Sequence, residues 1–169
     1  MIRARGVAWF AVCLVVACGG VEQRTASIDE PLRELPDARA LELISTTLAR
    51  LHIENSRNWD IDVSARRPLR VDIRLDGTDF GVEYVTEQDR VDMGADVIPE
   101  PDPEGQLRIM RGTHADSRAQ VLVLDATSYE YDEHLEHVQG GAVGIRDAEG
   151  RLARDVEDFV AYARGQDLN

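Results

Sequence analysis

At 169 residues, with 32 acidic against 19 basic side chains and a net charge of −13, the chain is long enough for one domain with a core of its own. The acidic excess argues against nucleic acid as a partner, since phosphate backbones are bound through basic patches. Lysine is absent, so every basic residue is arginine, which excludes Schiff-base chemistry and the lysine of a P-loop.

The first residues have the three parts of an export signal. Arg3 and Arg5 give a positive start, Val7 to Val16 form an uncharged apolar run, and Val15-Val16-Ala17-Cys18 ends it. That run is too short to span a bilayer. Its last four residues resemble the lipobox of bacterial lipoproteins. The resemblance covers the signal and the cut site alone. It implies residues 1–17 as a signal peptide, cleavage after Ala17, and a diacylglycerol on the sulfur of Cys18. It also implies a lipid bilayer as the partner of that acylated cysteine. Gly19 carries no inner-membrane retention aspartate, which by the same resemblance directs the protein to the outer membrane. Loss of Arg3 and Arg5 with the signal would take the charge from −13 to −15. Cys13 would leave with the signal and Cys18 would be acylated, so no thiol would remain for a disulfide, a thiolate metal site or a nucleophile.

Residues 18–36 read as a lipidated start and a polar tether, broken by Pro31 and Pro36. A single domain over 37–169 is expected to follow. Leu41, Ile44, Leu48 and Leu51 recur at helical spacing behind Asp37, predicting a helix that ends near Asn55. Trp59, Ile61 and Val63, then Leu69, Val71, Ile73 and Leu75, alternate with polar residues as strands do. Asp76-Gly77 predicts a two-residue turn that would pair Ile73 with Phe80, Val71 with Val82 and Leu69 with Tyr84. In that register Arg74 would face Asp79 and Arg70 would face Glu83.

Thr86 followed by Asp89 reads as a capped short helix to about Met93. The run from Pro99 to Gly105 reads as a stiff loop, and 107–110 and 121–124 as two more strands. The second of these is apolar on both faces and therefore central. Leu152, Val156, Phe159, Val160 and Ala163 form one stripe of a closing helix with Gly165 as its cap. The expected fold is α+β: a mainly antiparallel sheet of about five strands with helices packed on one face.

The densest cluster of reactive side chains runs from Tyr129 to His137. On a helix, Glu130, His134 and His137 would share one face and present two imidazoles and a carboxylate to a divalent transition metal. The same segment also reads as a solvated acidic helix face with Tyr131, Leu135 and Val138 packed inward, or as an extended strand over Ser128 to Asp132, which would destroy the spacing. His114, Asp116 and Ser117 are triad residue types, but they crowd one loop and lack a nucleophile elbow. Asn58, Asp60 and Asp62 lack the glycine turn and distal glutamate of a calcium loop, and Arg70 and Arg74 would compete for the carboxylates. Gly140-Gly141-Ala142-Val143-Gly144 matches neither a dinucleotide fingerprint nor a P-loop. The favoured reading is a membrane-tethered, non-enzymatic module without a cofactor that binds or supports another envelope component. The alternative is a metal-dependent enzyme or metal-binding module using Glu130, His134 and His137.

Overall fold

Leu41, Ile44 and Leu48 are buried at three- and four-residue spacing, so the first predicted helix forms with its apolar stripe inward. The computed structural model describes residues 31–64, 67–94, 97–98 and 108–166. In chain order these form α1 (Asp37–Arg50), β1 (Asn55–Asp62), β2 (Pro68–Leu75), β3 (Phe80–Val85), α2 (Glu87–Met93), β4 (Arg108–Arg111), β5 (Gln120–Asp125) and α3 (Ile145–Gln166). Short 3-10 turns occupy His114–Asp116 and Ala126–Tyr129. The predicted loop from Pro99 to Gly105 lies outside the described residues, as does Cys18. Among the described residues, no helix is long and apolar enough to cross a membrane.

The strands form one sheet in the order β1-β2-β3-β5-β4. β3 and β5 run parallel, and the other three neighbouring pairs are antiparallel. The protein is therefore a single small α+β domain with a mostly antiparallel sheet, as its sequence pattern implies. The parallel pair lies inside the sheet, which explains the unbroken apolar run of β5. Leu122 and Leu124 face a core shared with α1 and α3, while Val121 and Val123 face a second core with Ile61, Leu69 and Val71. Met93, Val97 and Ile98, at and beyond the end of α2, pack into that second core.

α1 and α3 are joined by packing and by charge. Phe159 of α3 meets Phe80 edge to face, with centroids 6.0 Å apart. Arg39 of α1 reaches Glu149 of α3 at 2.7 Å and Glu42 at 2.9 Å. α2 starts with the expected reciprocal cap. Thr86 Oγ1 accepts from the Asp89 N–H at 3.2 Å, and Asp89 Oδ2 accepts from the Thr86 N–H at 2.8 Å.

Four sequence expectations change in the folded chain. The domain begins earlier than Asp37: Leu35 is 1% exposed, Tyr84 donates its hydroxyl to the Leu35 carbonyl at 2.8 Å, and Arg33 pairs with Tyr131. α1 stops at Arg50, because His52 turns left-handed at φ 59°. The His52 N–H donates to Ala49 and the Ile53 N–H to Leu48, which is the Schellman pattern of a helix end. α3 runs through Gly165 to Gln166 rather than being capped by that glycine.

The fourth change is the register of the β2–β3 hairpin, which slips by two residues. Ile73 pairs with Val82 and Arg74 with Gly81, so Asp76 to Asp79 form a four-residue loop. A two-residue slip keeps every side chain on its face, so apolar alternation is the same in both registers. Arg74 consequently lies over the Trp59 ring at 4.7 Å and donates to the Thr78 carbonyl instead of facing Asp79. Arg70 lies 3.8 Å from Asp60 rather than opposite Glu83.

Candidate functional site

The predicted metal cluster is not helical: only residues 130–132 are extended, and 133–137 follow turns and bends. Glu130 is extended at φ −67°, ψ 145°, and isolated bridges at Tyr131 and Asp132 replace a helix. The helical spacing of Glu130, His134 and His137 is therefore not realised. The two imidazoles are 57% and 66% exposed, His134 lying 3.9 Å from Glu133 and His137 3.7 Å from Asp147. Among the described residues, no group of three or more His, Cys, Asp or Glu side chains is placed to hold a metal.

This segment instead closes the amino end of α3. The carbonyls of Leu135 and Glu136 accept from the Ile145 and Arg146 N–H groups at 3.0 Å each, and Asp147 accepts from the Val138 N–H at 2.7 Å. The Ile145 and Arg146 N–H groups are donors that a helix start leaves without partners. Gly144 is required there: a Cβ on it would stand 2.3 Å from the His137 backbone nitrogen. Within the glycine run before α3, Gly144 is thus a close backbone contact, whereas Gly140 and Gly141 take positive φ in open space.

The other sequence candidates are also absorbed by local structure. Asp116 accepts from the Asp62 N–H at 2.8 Å and joins the β4–β5 turn to the end of β1. Asn58 adopts φ 60°, which breaks the alternation with Asp60 and Asp62.

Two features that the sequence does not display are brought together by the fold. The first is a cavity of about 300 Å³ where the carboxyl ends of α1 and α3 meet the β2–β3 loop. Its floor is apolar, made by Leu75, Phe80, Val160 and Ala163, all buried. Its rim carries His52, Glu54, Asp76 and Arg164. Arg164 donates to the Leu51 carbonyl at 3.0 Å, and Asp76 accepts from the Ser56 hydroxyl at 2.6 Å. A shallower groove continues past His52, Glu54 and Asp76 toward Ala49 and Asn55.

The second feature lies toward the other end of β3. Asp72 and Glu83 turn their carboxyl groups into the gap between β2 and β3. The Asp72 N–H donates to Glu83 Oε2 at 2.8 Å, and the Tyr84 N–H donates to Asp72 Oδ2 at 2.9 Å. Ile73 and Leu75 enter the helix-side core, whereas Leu69 and Val71 enter the opposite one, so the strand changes face at Asp72. Asn58, in line with Asp72 on the neighbouring strand, takes its left-handed conformation at the same level.

Burial pushes the Glu83 carboxyl up to about 9, reinforced by Asp72 beside it. Burial also raises Asp72, to about 6, against the lowering effect of the Tyr84 N–H. Asp37 and Asp89 add like charge to both carboxyls. Alternation alone marks Asp72 and Glu83 as outward-facing. The interrupted ladder is what turns them inward.

Compared with models of protein families, with curated proteins and with solved structures, the chain gives no match. Its functional reading therefore rests on its own geometry.

Proposed function

We infer that this protein is a non-enzymatic binding module, displayed in the bacterial envelope through lipid on Cys18. The observation that supports binding is the cavity between the carboxyl ends of α1 and α3, where a buried apolar floor lies beneath four polar side chains. A few placed polar groups above an apolar surface are the usual composition of a ligand pocket. His52 adds to this reading. It occupies a left-handed position where glycine is the ordinary choice, at the mouth of the cavity.

The anchor is read from Val15 to Cys18, with an outer-membrane destination from Gly19. Two or three acyl chains would hold the domain firmly, each buried methylene contributing about 0.8 kcal/mol. Lipid labelling in cells tests the anchor: wild-type protein takes up label and fractionates with membranes, and Cys18→Ala does neither. Soluble wild-type protein with an unmodified amino terminus would remove this half of the reading. The binding half is tested by screening small organic fragments against the protein by NMR. Fragments are expected to perturb Phe80 and Ala163, and a screen in which none does so counts against the cavity.

A further inference from the structure

Resting on the reading that this cavity binds a ligand, we propose that its ligand is a small amphipathic cation, an apolar ring or short chain carrying an ammonium head. The volume of about 300 Å³ lies at the small end of ligand pockets, which run from about 300 to 1,000 Å³. It accommodates one ring or a short chain. The floor of Leu75, Phe80, Val160 and Ala163 offers that group no hydrogen-bonding side chain, so the part of the guest that enters must be apolar.

Charge at the rim selects the head. Glu54 and Asp76 place two exposed carboxylates at the opening. The guanidinium of Arg164 is directed to the Leu51 carbonyl. α1 and α3 both end here, and helix carboxyl ends carry partial negative charge. An ammonium group above the floor meets attraction from the two carboxylates and from the helix ends, and a carboxylate meets repulsion from them; Arg164, a cation of the same rim, acts in the opposite sense but is outnumbered. The groove beside the cavity shares His52, Glu54 and Asp76, so a head seated at the rim lies between the two. His52 stands at that junction, where its imidazole is available to the head as a hydrogen-bond partner.

The test uses three probes of matched apolar size: phenethylammonium, 2-phenylethanol and 3-phenylpropanoate. Each is titrated into the full-length protein while the backbone resonances of Phe80, Val160 and Ala163 and the methyl resonances of Val160 and Ala163 are followed. The ammonium probe is expected to shift those resonances at the lowest concentration. The E54Q/D76N double variant, altered only at exposed side chains, should weaken it at least five-fold and leave the alcohol unchanged. If the alcohol or the carboxylate binds the same residues as tightly as the ammonium, or if the double variant binds the ammonium as the parent does, the charge assignment is overturned and the cavity remains a binding site. If no probe perturbs these residues, the proposal and the binding-site reading fall together.

Discussion

Asp72 and Glu83 complete each other's strands: Glu83 Oε2 accepts the Asp72 N–H at 2.8 Å, and Asp72 Oδ2 accepts the N–H of Tyr84, the residue after Glu83. The two carboxyl groups thereby replace carbonyls at a point where β2 and β3 stop pairing. Glu83 is 4% exposed, and keeping its proton spares the fold an uncompensated buried charge.

Stability should therefore fall as pH rises. Glu83 is raised by burial from 4.5 to about 9, and Asp72 from 3.8 to about 6. Between those limits the folded chain keeps protons that the unfolded chain releases, so this contribution is fully present at low pH and is lost as pH climbs. Burial raises Glu34 and Asp37 in the same direction. The denaturant midpoint is expected to be higher at pH 5.5 than at pH 8.5. Glu83→Gln, which keeps an acceptor for the Asp72 N–H, should flatten that dependence. At pH 8.5 it should add on the order of 2 kcal/mol. An unchanged pH profile in the variant would place the linkage on other groups.

The β2–β3 loop depends on Gly77, whose φ is 74°. A Cβ there would meet nothing within 4 Å, so the penalty of Gly77→Val is conformational, about 1–3 kcal/mol. Gly81 makes the opposite case. Its added Cβ would lie 2.9 Å from Val71 Cγ1 and 3.0 Å from the Ile73 carbonyl. Gly81→Ala should cost about 1–3 kcal/mol by overpacking. Melting curves measure both costs, and the Gly81→Ala curve checks the register, because a two-residue hairpin turn would place another residue opposite Arg74.

Tyr84 ties the segment before α1 to the sheet through its hydrogen bond to Leu35. Tyr84→Phe removes that donor from a buried carbonyl and should cost about 1–2 kcal/mol. Amide exchange around residues 33–36 should accelerate more than exchange in β5. Equal acceleration everywhere would show a global rather than a local effect.

His52 offers a contrast between stability and binding. His52→Gly relieves the left-handed strain at the end of α1 and should raise stability by on the order of 0.5 kcal/mol, part of the relief being offset by the more flexible unfolded chain. The same variant should bind phenethylammonium more weakly. Higher stability with unaltered binding would assign His52 to the helix cap alone.

His134 and His137 are exposed, and it is the backbone carbonyls of Leu135 and Glu136 that cap α3. A His134→Ala, His137→Ala double variant should melt within about 0.5 kcal/mol of the parent. It should also respond no differently to added zinc or nickel. A metal-dependent rise in melting temperature lost in the variant would restore the metal reading of this segment.

The sequence by itself determined the elements with strong periodicity. Leu41, Ile44 and Leu48, and Leu152, Val156 and Phe159, form apolar stripes that only a helix collects on one side. Val121 to Leu124, apolar on both faces, had to be covered twice and so had to lie inside the sheet. Tertiary structure decided what periodicity leaves degenerate. The hairpin register differs from the expected one by an even number of residues, which no alternating pattern distinguishes. Residues 129–137 carry too few apolar positions to form a helix of their own, so contacts with Arg33 and Gly144 and with the amino end of α3 set their path. The cavity joins residues from His52 to Arg164, and the carboxyl pair exists only where two strands separate. The cavity arises from distant segments meeting and the pair from a local break in the ladder, and residue spacing holds no record of either because burial and charge act through space rather than along the chain.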